Sequence, residues 1–171
     1  YGQYQRGVGV GQLSRQYSRT RSAIVRIINE QRALSIMNLP LDYIDNPIYS
    51  RPSAKIEREI LGEMPEAVIS PRKVRPPSGL PTYLASLYDV PLLTREQEYH
   101  LFRKMNYLKA KASRLREALV PSEARVSLMD EIEKLYQEAV QVKNQIVQAN
   151  LRLVVSISKR HMQSTDDFFG L

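Results

Sequence analysis

The side chains of this 171-residue chain best suited to chemistry are cationic or hydroxyl-bearing, and they cluster near its start: Arg19, Thr20, Arg21, Ser22 and Arg26, with the apolar Val25 among them. Arginine grips phosphate oxygens or forks onto the edge of guanine, and serine and threonine bond a phosphate or a base edge. The chemistry implied is recognition of a polyanion, not the making of bonds. Catalytic alternatives lack their parts. Cysteine is absent, the two histidines His100 and His161 are far apart, and there is no Gly-rich phosphate loop, nucleophile elbow or metal-ligand spacing. The carboxylates fall mainly on polar helix faces. No enzyme activity, cofactor, metal or small-molecule substrate is expected.

These residues need elements to present them. Gln12 to Ile28 resembles a helix-turn-helix: apolar residues at Leu13, Tyr17, Ile24 and Ile27 are expected to hold two short helices at a wide angle, with a turn at residues 18–20. That leaves the start of the second helix free to enter a major groove. Ser14 stands where Ala is usual, and Ser18 where Gly often makes the turn. Charge supports a polyanion contact, since residues 1–37 hold six arginines against the single acid Glu30, +5 of the chain's formal +7. The alternatives are a solvated basic face and a small helical interaction module with the same packing.

Three zones follow from composition, and together they predict an all-α protein. Residues 1–37 form the helix-turn-helix module. Residues 38–79 hold seven of the ten prolines, which deny long helices their backbone donors, and read as an extended Pro-rich linker with room for one short helix from Ser53 to Gly62. Residues 80–171 are helical. A short helix from Leu80 to Tyr88 breaks near Pro91, and Thr94 with Gln97 forms a capping box that opens the next. Leu101, Met105, Leu108, Ala112, Leu115 and Leu119 then mark one face, and Ile132, Leu135, Ala139, Val142 and Ile146 mark another beyond a turn at Pro121. Two such stripes joined by a short turn predict a long antiparallel helical hairpin. No apolar run reaches the ~18 residues of a membrane span.

The run from Asn150 to His161, Asn-Leu-Arg-Leu-Val-Val-Ser-Ile-Ser-Lys-Arg-His, followed by Phe168, Phe169, Gly170 and Leu171, resembles the core-binding and promoter-melting domain of bacterial RNA polymerase sigma factors. In that family a helix reads Asn-Leu-Arg-Leu-Val, then small and basic residues, then a loop to Phe-Leu-Asp-Leu. A second segment, Tyr83 and Leu84 followed by Pro91 through Glu98, is similar to the family's sequence ahead of that helix. The resemblance implies that a helix beginning near Asn150 packs against the one carrying Glu98, and that Glu98, Asn150 and Leu153 line a pocket for a flipped thymine of the minus-ten element. Their chemistry suits that role: Asn offers donor and acceptor, Glu accepts, and Leu covers a base face. Taken alone, Asn150 reads as a cap or break, Glu98 as a first-turn acid favoured by the helix dipole, and Leu153 as core.

The resemblance further implies that Tyr83 and Leu84 touch the discriminator, with Ala85 where the family often has a basic residue. Phe168 and Phe169 begin the segment that docks on the clamp helices of the largest polymerase subunit, with Gly170 in place of the usual Asp. The function implied is that of a cytoplasmic sigma factor in transcription initiation and regulation, with core RNA polymerase and promoter DNA as partners, the DNA both as duplex and as melted non-template strand. A helical adaptor or anti-sigma-like interaction protein is the first alternative. A stand-alone helix-turn-helix repressor, which would have to dimerise, is the second. Tyr1 is no initiator methionine and Leu171 halts inside the motif, so the chain is expected to be a piece of a longer protein.

Overall fold

A computed structural model of the chain describes residues 1–66 and 82–161. It is mostly helical, with no strand among the described residues. The helices are α1 (Gly2–Gln5), α2 (Val10–Gln16), α3 (Arg21–Met37), α4 (Pro47–Ser50), α5 (Ala54–Leu61), α6 (Thr82–Ser86), α7 (Arg95–Glu117) and α8 (Val126–His161). A 3-10 turn, Pro121–Glu123, lies between the last two. No described helix is long and apolar enough to cross a membrane.

The chain divides into two compact units, Tyr1–Arg51 with Asn106–Ala139, and Pro52–Met105 with Val140–Leu171. This division cuts across the three sequence zones. Residues 38–66, the described part of the expected linker 38–79, are not a free tether but a strap bonded to α7; residues 67–79 lie outside the described residues. Chain that is not helical leaves carbonyls needing donors, and α7 supplies them.

In the first unit, Arg116 Nη1 donates to the carbonyls of Leu39 and Met37, at 2.8 and 3.3 Å, and Lys109 Nζ to that of Asp42 at 3.0 Å. Arg114 Nη1 donates to the carbonyl of Ser50 at 2.6 Å. The buried Asn106 accepts from the Ile44 amide at 2.8 Å. Asn46 caps α4, accepting from the Ile48 amide, and Pro47 takes the first helical position, where its missing donor costs nothing. α4 thereby presents Tyr49 to the fully buried Tyr107, with ring centroids 5.8 Å apart and tilted by 60°. Leu108 and Ala112 of α7, and Met129, Ile132 and Ala139 of α8, are buried in this unit. The predicted stripes are thus inward faces.

In the second unit, α5 has the bounds its sequence predicts. Ser53 Oγ accepts from the Ile56 amide at its start, and Gly62 ends it, where a Cβ would lie 2.9 Å from the Arg58 carbonyl. Lys104 Nζ donates to the carbonyls of Leu61 and Gly62 at the end of that helix, and Arg103 pairs with Glu59 at 2.7 Å. The capping box also forms as predicted. The Gln97 amide donates to Thr94 Oγ1 at 3.3 Å, and Gln97 Oε1 accepts from the Thr94 amide at 3.0 Å. Gln97 Nε2 meanwhile donates to the Pro65 carbonyl at 2.9 Å.

Candidate nucleic-acid interface

α2 and α3 are held by Leu13, Ile24 and Ile28, with Tyr1, Val8 and Val10 packed against them. The expectation that Tyr17 and Ile27 hold the pair is corrected: they are 55% and 45% exposed. The inward stripe of α3 runs through Ile24 and Ile28, four apart, so Ile27 is turned about 100° away from Ile28. Tyr17 caps the end of α2 and donates its hydroxyl to Gln3 Oε1 at 3.2 Å. Together with Tyr1, Gln3, Arg6, Arg19 and Ile24, these two side chains line an open cleft of about 630 Å3.

The turn falls at residues 17–20, where the sequence places it. Ser18 takes φ 48°, the left-handed conformation that glycine adopts without strain. Ser14 compensates: its hydroxyl donates to the Arg19 carbonyl, and its own carbonyl accepts from the Arg19 amide at 3.1 Å. Thr20 begins α3 by accepting from the Ala23 amide at 3.2 Å, and its hydroxyl lies 3.1 Å from that of Ser22. The Thr20 hydroxyl therefore serves the helix as well as any ligand.

Arg19, Thr20, Arg21, Ser22, Val25 and Arg26 are all exposed, but they do not form one surface. Arg19 belongs to the apolar cleft. Arg21 lies over Gly11, where a Cβ would come 3.5 Å from its Nη2. Ser22, Val25 and Arg26 share a second cleft of about 320 Å3 with Asn29, Glu30 and residues 121–124. None of the three arginine side chains makes a hydrogen bond or ion pair among the described residues, so their charge is unspent.

Arg32, farther along α3, is different. Its Nη2 donates to Asp130 Oδ1 at 2.6 Å and to Glu133 Oε2 at 2.5 Å, and its Nε to Glu133 Oε1 at 3.0 Å. Hydrogen bonding to Glu133 raises its pKa still further above the ordinary arginine value, opposed in part by burial and helped by Asp130. Sequence reasoning missed this clamp. Its partners lie about a hundred positions away, and only the spacing of Asp130 and Glu133, three apart on one helix face, hinted at a shared ligand.

In the second unit, Glu98 stands half-buried in the first turn of α7, beside Glu96. The Glu96 carboxyl is held below its ordinary pKa by its own backbone amide and by the Thr94 hydroxyl. The expectation of a helix beginning near Asn150 is corrected, because α8 runs unbroken from Val126 through that position. Asn150 is half-buried, and its Nδ2 donates to the Ile146 carbonyl at 2.9 Å, a bond back along the helix that lets the polar side chain ride inside it. Leu153, three residues on, is 44% exposed and so is not core. No described hydrogen bond joins Glu98 to Asn150, and neither they nor Leu153 line the described clefts.

Tyr83 and Leu84 belong to α6. Phe168 and Phe169 lie outside the described residues. Among the described residues, no group of three or more His, Cys, Asp or Glu side chains is placed to hold a metal ion. No protein-family model matches the chain, and no solved structure matches it.

Proposed function

We infer that this chain is part of a sigma factor: a non-enzymatic cytoplasmic protein that binds core RNA polymerase and promoter DNA and directs transcription initiation. The observation that carries the reading is the ordered pair of sigma-like segments, Tyr83 to Glu98 and Asn150 onward. The capping box supports it by fixing Glu98 in the first turn of α7, and α8 carries Asn150 and Leu153 on one helix face. In this reading Glu98, Asn150 and Leu153 receive an unpaired base, Tyr83 and Leu84 meet the discriminator, and Phe168 with Phe169 contributes to docking on polymerase. The front module adds a duplex contact through Arg19, Thr20, Arg21, Ser22, Val25 and Arg26.

A base entering the pocket must compete for the Asn150 amide with the Ile146 carbonyl, and the amide keeps a second hydrogen and its oxygen for the base edge. In the intact protein, Asn150→Ala should slow promoter melting by the equivalent of about 1–3 kcal/mol, the cost of one lost base contact, while polymerase affinity holds. Equal melting, or a defect confined to polymerase binding, would move the assignment to the second reading. That reading, a helical adaptor, is favoured by one observation: α8 exposes Leu153, Val154 and Ile157 near its end, an apolar surface suited to a protein partner.

A further inference from the structure

We propose that the chain holds its own duplex-reading face shut: the connection from α7 to α8 covers the stripe of α3 that would enter a major groove, and Arg32, paired with Asp130 and Glu133 of α8, clamps it there. The inference rests on the proposed role of α3 as a duplex-contacting helix.

Ser22, Val25, Arg26 and Asn29 are spaced three, four and seven residues from the first, which makes them one face of α3. That face forms one wall of the 320 Å3 cleft, and Pro121, Ser122, Glu123 and Ala124 form the other. The cleft is open enough to keep the side chains hydrated, and Val25 remains 42% exposed. A duplex needs more room than water does. A helix with its side chains is roughly 10–12 Å across and a major groove about 12 Å wide, so a groove that admits α3 has no space for a second stretch of backbone along the reading face.

Charge favours the closed arrangement. From residue 121 to residue 140 the chain carries Glu123, Asp130, Glu131, Glu133 and Glu138 against only Arg125 and Lys134. Glu123 faces the cleft that Arg26 lines, and Asp130 with Glu133 holds Arg32 one turn beyond Asn29. Carboxylates of the chain thus stand where phosphates would come. Arg19 and Arg21 lie outside the covered stripe. Phosphate contact through them needs no rearrangement, whereas base reading by Ser22, Val25 and Arg26 requires the connection to move away.

The test is duplex affinity of the full chain at one fixed salt concentration, for two variants of equal charge. Asp130→Asn with Glu133→Gln removes the clamp. Glu131→Gln with Glu138→Gln removes the same two charges and leaves Arg32 paired. If closure leaves about a tenth of the molecules competent, releasing it should tighten binding roughly tenfold, since apparent affinity scales with the competent fraction. The clamp variant is expected to gain that factor over the control. Equal gains in the two variants would mean simple charge removal and would overturn the proposal while leaving duplex binding intact. Absence of duplex binding in every variant would overturn the duplex reading and the proposal with it. As a second measurement, amide hydrogen exchange at residues 118–125 of the unaltered chain should quicken when duplex is added; unchanged or slower exchange would also overturn closure.

Discussion

Two regions of this molecule are basic, and they use their charge in opposite ways. On α7, Arg103 pairs with Glu59, and Lys104, Lys109, Arg114 and Arg116 donate to backbone carbonyls of the strap formed by residues 37–62. At the front of the chain, the side chains of Arg19, Arg21 and Arg26 make no such bonds among the described residues. Both carry a local excess of cations in the sequence, though only the front block lies in a zone whose overall balance points to a polyanion. Of the cations named, those of the front block are the ones left to neutralise phosphates, because a guanidinium or ammonium engaged with its own chain must break those bonds before it can release counterions on DNA. What separates structural cations from binding ones is whether the chain already answers them.

The most drastic way to break the comparison is to remove the frame on which both regions rest. Leu108 is fully buried in the unit that contains Tyr1–Arg51. Leu108→Asp would place an unpaired carboxylate there, with an expected loss of about 3 kcal/mol or more, read as a lowered thermal midpoint. An unaltered melting curve would deny that the α7 stripe is core. A smaller effect sharpens the role of the α7 cations. Lys109→Ala with Arg116→Ala strips donors from the carbonyls of Asp42, Met37 and Leu39 and should cost about 1–2 kcal/mol in denaturant unfolding. Duplex affinity should stay where it was. The smallest expected change is Ser18→Gly, which relieves a left-handed serine and should stabilise the chain by up to about 1 kcal/mol, less whatever glycine adds in unfolded-state entropy. A loss of stability there would show that the turn does not need relief.

Much of this was legible from residue types and spacing, where the controlling physics is local. Thr94 and Gln97 announced the start of α7 because a capping box is complete within four residues. Ser53 and Gly62 bracketed α5 for the same reason, and the three-and-four spacing from Ile132 to Ile146 identified an inward face before any partner was known. The failures came where distant or continuous features decide. Ile28 and not Ile27 joined the front core, a choice that depends on how α3 is rotated against α2. Asn150 did not open a helix, because its amide found the Ile146 carbonyl and the apolar spacing simply ran on. The prolines of the strap point to a linker, because local sequence does not reveal the donors that meet its carbonyls. The side chains that fasten the strap, the donors Gln97 and Lys104 seven apart and Lys109 and Arg116 seven apart, with Asn106 accepting, fall on different faces of α7, so no single polar stripe announces them in the sequence. For the candidate base pocket, the residues came from a motif, and the structure adds the bond on Asn150 and the exposure of Leu153.

The claim that the front arginines are the cations available to DNA is tested most directly by the salt dependence of duplex binding, measured on the full chain and two double variants. For Arg19→Ala with Arg21→Ala, affinity at low salt should fall, and the slope of log affinity against log salt should become shallower by about 1.8, two phosphate contacts at roughly 0.9 each. For Lys109→Ala with Arg116→Ala the slope should match that of the unaltered chain. The opposite pattern, an unchanged slope without Arg19 and Arg21 and a shallower one without Lys109 and Arg116, would contradict the account.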